Sequence, residues 1–331
     1  MSDYTNGSHL PEEGEEQKKR RFRIFDTQRE GRGVSKEDAK VTPDLGGFFR
    51  GFGRSFTKLL SINLMTLVGN FPLLFAILAL SGLFKVSYMM PVSGLFADLH
   101  ALMLLDTARD PATMAAFGVL GVQIQNTAMT TMSYVLLGLS ALTFLTFGCT
   151  KVGTTYIIRS MIRGEPAFLL TDFKHAIKRN WKQALPIGMI DLAAFVLFPV
   201  NIFILLESGG TFLNSVLLWT NIFFLIVFLF MRPYIYLQMV TFDLKIGKLI
   251  KNAMIFSLLG FKRNIMAFFG LIMLILIMLL MIFGIGGALL PLGVAVPLVI
   301  LFSGASYMAD FAAWFKIHDV MIAPYGEENE N

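Results

Sequence analysis

Four ionisable side chains stand where the sequence offers them least water. Lys151, Asp191, Arg232 and Asp310 each lie inside a long apolar run. A charge in hydrocarbon is costly, so such residues pair with one another, line an ion or substrate path, or relay protons. Counted from the basic end of each run at about 1.5 Å per residue, all four come roughly 8–12 Å in from the same side. Two cations and two anions in one layer form a neutral cluster. That cluster either fixes helix packing or makes a polar site, open to the cytoplasm, for an ion, a sugar-like ligand or a lipid headgroup. Balance favours packing, because opposite charges satisfy one another without a ligand. Lys151 and Asp191, on consecutive runs, are the expected partners, in direct reach or sharing Arg232. Gly148, Thr150, Gly153 and Thr154 beside Lys151 permit close helix approach in either case.

Other chemistries find little support. No G-x-S-x-G, Walker or H-E-x-x-H pattern occurs, and no residue is nominated as catalytic or cofactor-binding. His9, His100, His175 and His318 form no spaced pair with a carboxylate, so no metal site is expected. A single cysteine, Cys149, rules out a disulfide within the chain and a Cys-based metal site. The methionines of residues 85–131, Met89, Met90, Met103 and Met114 among them, lack the tight repeat of a soft-metal site and read as adaptable packing. No E-A-A-x3-G coupling loop of an ABC permease is present.

The elements that must carry these charges are membrane helices. The chain is 55% hydrophobic and 15% charged, against about 25% charged for a soluble domain. Six apolar runs reach spanning length: 59–84, 134–158, 184–206, 212–240, 264–290 and 291–315. Basic amphipathic segments sit between them. In the clearest, Lys174, His175, Lys178, Arg179 and Lys182 share one helical face, with Leu169, Leu170, Phe173, Ile177 and Trp181 opposite. A helix of this kind, Phe168–Lys182, is expected to lie flat in the headgroup layer. Residues 43–58 are a second case, with Arg50, Arg54 and Lys58 offset from Phe48, Phe52 and Phe56. Residues 241–263 are a third, with Lys245, Lys248 and Lys251. The basic residues adjoin apolar runs, so the expected partner is anionic lipid at the cytoplasmic face, together with other membrane or transport proteins, and not nucleic acid.

Lys and Arg also set orientation. The 159–183 connection has six and the 241–263 connection five, while 85–131 has only Lys85 and Arg109 and the 207–211 turn has none. The pattern predicts six spans with both termini cytoplasmic. Residues 1–42, with an acidic patch (Glu12, Glu13, Glu15, Glu16) followed by a basic one (Lys18 to Arg23), read as a disordered cytoplasmic tail. Residues 43–320 form the membrane domain and 321–331 an acidic C-terminal tail. Within 85–131, helices are expected over Ser93–Asp106 and Pro111–Gln123. Three times the chain runs from a basic helix into a two-span hairpin, with Asn63, Asn180 and Asn264 at the junctions, which suggests a threefold repeat. An Asn there can satisfy backbone groups freed by a bend.

The segment FGCTKVGTTYIIRSMIRGEPAFLLTDFKHAIKRNWKQAL resembles the central signature of YesL-like bacterial membrane proteins, a domain family of unknown function. Gly153, Thr155, Tyr156, Arg159, Gly164, Glu165, Asp172, Phe173, Asn180, Trp181 and Lys182 carry the likeness. The stretches MRPYIYLQMVTFDL and KNAMIFSLLGFKRNIMAF are also similar. The polar N-tail and the long 85–131 connection depart from the pattern. The resemblance implies a polytopic plasma-membrane protein of a bacterium, associated with carbohydrate uptake, and supplies no catalytic residues. The expected fold is thus an all-α integral membrane protein of six helices with basic interfacial helices. Two functions stay open: a non-enzymatic accessory or regulatory component, and a small-solute transporter with a polar site in the inner-leaflet half.

Overall fold

The computed structural model describes residues 41–105, 110–284 and 288–326. The expected N-terminal tail falls almost wholly outside these, as do residues 327–331 of the acidic C-terminus. The chain opens with α1 (Leu45–Arg54), α2 (Phe56–Gly69) and α3 (Leu73–Leu80). A hairpin excursion follows: β1 (Lys85–Pro91), α4 (Phe96–Leu105), α5 (Pro111–Leu120) and β2 (Gln123–Met129). Then come α6 (Thr131–Ser140), α7 (Thr143–Ile162), α8 (Leu169–Glu207), α9 (Phe212–Thr241), α10 (Ile246–Leu259) and α11 (Phe261–Phe283). The last stretch is α12 (Leu290–Val296), a π-helical turn Pro297–Leu301, α13 (Phe302–Ile317), a second π-helical turn His318–Ile322 and α14 (Ala323–Gly326).

Among the described residues, five stretches are long and apolar enough to cross a membrane: Thr131–Ile162, α8, α9, α11 and Leu290–Ile322. A sixth arises if α2 and α3 count as one span; they meet at 65°. The fold is helical and compatible with a multi-pass membrane protein. The expected first run is therefore broken, and its break falls at Asn70–Pro72, where proline has no N–H to continue the ladder. The Asn70 backbone N–H and side-chain amide both donate to the Thr66 carbonyl, at 3.1 and 2.9 Å, closing the end of α2 at the break.

Two expectations for 85–131 need correction. The helices are shorter than expected, and two strands lie outside them. β1 and β2 pair antiparallel from Lys85↔Met129 to Pro91↔Gln123. Their residues are almost all exposed, so no apolar-polar alternation marks them in the sequence. The ribbon is tied to α6 by the Thr130 and Ser133 hydroxyls, which donate to the Phe84 carbonyl at 2.7 and 2.9 Å.

The basic amphipathic segments also behave differently from expectation. Phe168–Lys182 is not a separate interfacial helix. It is the first third of α8, which runs 39 residues through Pro186 and Pro199 without interruption. Its apolar face is used by the protein: the Phe173 ring lies so close to Gly153 of α7 that a Cβ there would come within 2.4 Å of it, and Ala176 is fully buried. Likewise Phe48 of α1 packs on Tyr307 and Phe311 of α13, at centroid distances of 5.6 and 5.3 Å. Aromatic faces assigned to lipid instead dock these helices onto the bundle. Of the three junction asparagines, Asn264 spans a true elbow, donating to the Ser257 carbonyl across Gly260 at 3.0 Å. Asn180, in an unbroken helix, bonds only its own turn at Ala176. Asn63 reaches another span, donating to the Pro297 and Leu298 carbonyls and accepting from the Ser303 N–H, all within 3.0 Å. It thereby pairs groups that the π-helical turn leaves out of the regular ladder.

Packing is concentrated at one end. Buried residues crowd the last three turns of α7, the last eleven residues of α9 and most of α13. The core there includes Leu59, Ile62, Ile158, Leu237, Trp314 and Ile317. The closest backbone approach is between α7 and α8, where a Cβ on Gly148 would sit 2.0 Å from the Ala184 carbonyl oxygen and 2.7 Å from the Gly188 Cα. Gly148→Ala should thus lower stability in detergent by about 1–3 kcal/mol, the usual cost of overpacking. Gly138→Ala in α6, whose Cβ would meet open space, should raise it by about 0.5–1 kcal/mol. Thermal unfolding of both variants checks this; equal responses would refute the close contact.

Candidate functional site

The four intramembrane charges are brought together, but in other pairs than expected. Asp191 of α8 takes Arg232 of α9: the Arg232 Nε–H donates to both carboxylate oxygens, at 2.7 and 2.8 Å. The Tyr236 hydroxyl, one turn on, donates to Asp191 Oδ2 at 2.7 Å. Lys151 of α7 takes Asp310 of α13, with Nζ 3.9 Å from Oδ2, and donates to the Ser306 hydroxyl at 3.0 Å. Each pair is assembled from i, i+4 neighbours on one helix face, Arg232 with Tyr236 and Ser306 with Asp310, meeting a single residue from another helix.

The reason Lys151 and Asp191 do not pair is geometric. α7 and α8 are antiparallel and cross at Gly148 and Gly188. Lys151 lies three residues past the crossing toward the basic end, and Asp191 three residues past it in the opposite direction. At about 1.5 Å per residue the two are about 9 Å apart along the helix pair. The depth count from sequence started α8 at Ala184, whereas the helix begins at Leu169.

The Asp191 pair is the better satisfied of the two. The Arg232 guanidinium lies over the rings of Phe195, Phe147 and Tyr236, at 4.8, 5.8 and 5.8 Å. Three aromatic faces and a carboxylate therefore share one cation, and ring quadrupoles count for more where water is excluded. The Asp310 pair is looser. Its carboxylate is fully buried and makes no hydrogen bond of standard geometry; the equally buried Thr155 hydroxyl stands beside it as a long, weak donor.

Sequence reasoning missed a fifth buried charge, a third cation. Arg159, assigned to the loop, is only 8% exposed. It donates to the Val240 carbonyl at 2.7 Å and the Thr241 hydroxyl at 3.2 Å, and its guanidinium lies 4.7 Å over Tyr156. It caps the end of α9, where carbonyls lose their helical partners. The available signal was the spacing of Lys151, Thr155 and Arg159 at i, i+4 and i+8, one continuous polar stripe. Tyr234 was missed too; its hydroxyl donates to Asn264 at 3.0 Å, tying α9 to the α10–α11 elbow.

In the candidate basic face, Lys174, Lys178, Arg179 and Lys182 all stand on the open side of α8. The Lys182 ammonium lies 5.9 Å from the Trp181 ring. Trp181 itself is half exposed, so the apolar side of this segment is only partly covered by α7. Among the described residues no group of three or more His, Cys, Asp or Glu is placed to hold a metal ion.

A protein-family model described as "Protein of unknown function, DUF624" matches residues 127–202. This is the family into which YesL-like proteins fall. The DUF624 segment covers the end of β2, α6, α7 and most of α8, so it contains the Gly148–Gly188 crossing, Lys151, Arg159 and Asp191. Arg232 and Asp310 lie beyond it. No curated protein and no solved structure matches the chain.

The pairing predicts distinct couplings. Asp191→Leu should cost about 3–5 kcal/mol, because it leaves Arg232 charged and unpaired in a buried site. Adding Arg232→Met should recover a large part of that loss. Adding Lys151→Met to Asp191→Leu should recover little. Thermal unfolding in detergent measures the two double-mutant cycles, and stronger coupling of Asp191 to Lys151 than to Arg232 would contradict the geometry.

Proposed function

We propose that the chain is a non-enzymatic, multi-pass protein of a bacterial plasma membrane, with both termini cytoplasmic and six spans, the first of them bent. We infer that it acts as an accessory or regulatory component, docking other membrane or transport proteins and anionic headgroups through its basic cytoplasmic face. The observation that carries this reading is the internal neutralisation of the intramembrane charges. Lys151, Asp191, Arg232 and Asp310 pair among themselves at low exposure. Exposed basic residues are left for a partner, among them the row Lys174, Lys178, Arg179 and Lys182 at the start of α8. The link to carbohydrate uptake rests on the YesL-like resemblance alone.

Transport of a small solute is the second reading. It is favoured by the Asp310 carboxylate, buried without a hydrogen bond of standard geometry, and by irregular helix near it. The bent α2–α3 pair and the Pro297–Leu301 turn, joined through Asn63, are the kind of broken helices that line transporter sites.

One set of measurements separates the readings. Replacing Lys174, Lys178, Arg179 and Lys182 with Gln should leave the unfolding midpoint within a few tenths of a kcal/mol of the parent, as for exposed sites. The same variant should abolish cross-linking from a photoreactive residue at position 171 to neighbouring membrane proteins in cells. Cross-linking that survives the variant, together with solute flux in proteoliposomes that Asp310→Asn stops, would move the assignment to transport. Orientation is tested in a Cys149→Ser protein: Ser93→Cys should react with an impermeant thiol reagent from outside, and Ser35→Cys should not.

A further inference from the structure

Arg159 does more than cap α9, because much of its guanidinium is still uncommitted. Nη1 makes both of its hydrogen bonds, to the Val240 carbonyl and the Thr241 hydroxyl, and the Tyr156 ring lies against one face of the plane at 4.7 Å. Nε is enclosed and bonds nothing. Nη2 is neither enclosed nor bonded, so a cation only 8% exposed keeps free N–H donors at the surface. A guanidinium clamped in this way loses little freedom on meeting an anion.

Further cations surround that opening. Tyr156, Arg159 and Arg163 follow one another at i, i+3 and i+7 along the end of α7, and His175 and Arg179 at i and i+4 along α8. The two rows meet where the His175 ring stands edge-on to Tyr156, 6.3 Å between centroids. Among the described residues, the charges that act on Arg159 are Arg163, Glu165 and Arg179. Glu165 is already used. Its N–H donates to the Ser160 carbonyl at 2.9 Å, which folds it back, and its carboxylate holds Arg163 at 2.8 Å. Three guanidinium groups against one carboxylate leave two positive charges over, and the C-terminus of α9 offsets about half of one. The remainder matches a phosphate monoester, which carries about −1.5 to −2 at neutral pH, better than a singly charged diester or carboxylate. Arginine N–H groups also suit phosphate oxygens geometrically. Arg159 is the first residue past the apolar run 134–158, so the opening lies at headgroup level, within reach of a phosphate from water or from a lipid.

We propose that Arg159, His175 and Arg179 form a binding site for a phosphate monoester at the basic end of the α7–α8 hairpin, with Arg159 as its floor and the other two as its rim. The site shares Arg179 with the basic row assigned above to docking but does not require that docking. The test uses the purified full-length protein in an uncharged detergent, titrated calorimetrically with methyl phosphate and with dimethyl phosphate. The monoester should bind about tenfold more tightly than the diester, the worth of one charge-assisted hydrogen bond. Arg179→Gln, at an exposed position that leaves the fold intact, should weaken the monoester by a similar factor. Arg159→Gln, in protein that still unfolds cooperatively, should abolish its binding. Lys174→Gln, on the same exposed row but turned about 100° from His175, should change it by less than about twofold. Equal binding of the two esters, or an equal loss from Lys174→Gln and Arg179→Gln, overturns the proposal, because a diffuse basic surface gives either result. In phosphatidylcholine nanodiscs, competition with methyl phosphate by phosphatidic acid and not by phosphatidylglycerol assigns the site to a lipid headgroup. Methyl phosphate binding that neither lipid disturbs assigns it to a soluble ester. Monoester binding without cross-linking to membrane proteins removes the docking reading and leaves this site standing; cross-linking without monoester binding does the reverse.

Discussion

The rest of the structure depends on the contact between Gly148 and Gly188. Two backbones without side chains at that point let α7 and α8 touch directly, and the register of the crossing decides what every other polar group meets. It sends Lys151 toward α13 and Asp191 toward α9, so that one antiparallel hairpin recruits two further helices through ion pairs. Two neighbouring glycine contacts serve the same end. Gly153 admits the Phe173 ring and Gly69 of α2 admits the Thr150 side chain, which draws the bent first span against α7. A larger residue at any of these sites would separate helices whose charges have no water to fall back on.

The two ion pairs differ in how fully they are satisfied, and the difference has a structural origin. Asp191 meets a guanidinium and a phenol from the same face of α9, with aromatic rings from three helices around the cation. Asp310 meets an ammonium whose nearest hydrogen bond goes to Ser306 instead. A single charged nitrogen on a flexible stem cannot serve a hydroxyl and a carboxylate equally well, whereas a planar guanidinium fixed by stacking is committed to its partner. The bundle therefore has one closed polar node, between α8 and α9, and one with hydrogen-bonding capacity left over, between α7 and α13.

The sequence made the helical membrane class, the apolar runs and the four buried charges legible, because hydropathy and charge cost are local properties. Partner choice was not legible. It hinges on where α8 begins, and the polar face of Lys174 to Lys182 hid ten or more residues of continuous helix behind the appearance of a separate one. Arg159 was assigned to a loop for the same reason: a basic residue at the end of an apolar run looks solvated until the neighbouring helix is seen to end against it. The strands of the 85–129 excursion left no periodic trace, since both of their faces are open. Asn63 was singled out correctly as a backbone-satisfying residue, but its partner lies more than two hundred residues away, beyond the reach of any local pattern.

The unbroken length of α8 has a mechanical consequence. Thirty-nine residues make a rod of about 58 Å, while a bilayer with its headgroups is about 40–45 Å thick. The rod exceeds that thickness by about 13–18 Å, close to the roughly 21 Å length of its basic third. Its fulcrum is the glycine crossing with α7. Any change in the slope of the embedded portion, whether from membrane thickness or from pressure on the far turn at Glu207, becomes a sideways sweep of four positive charges across the membrane surface. α8 is in this sense a lever with equal arms on either side of Gly188, and one of them carries the charge.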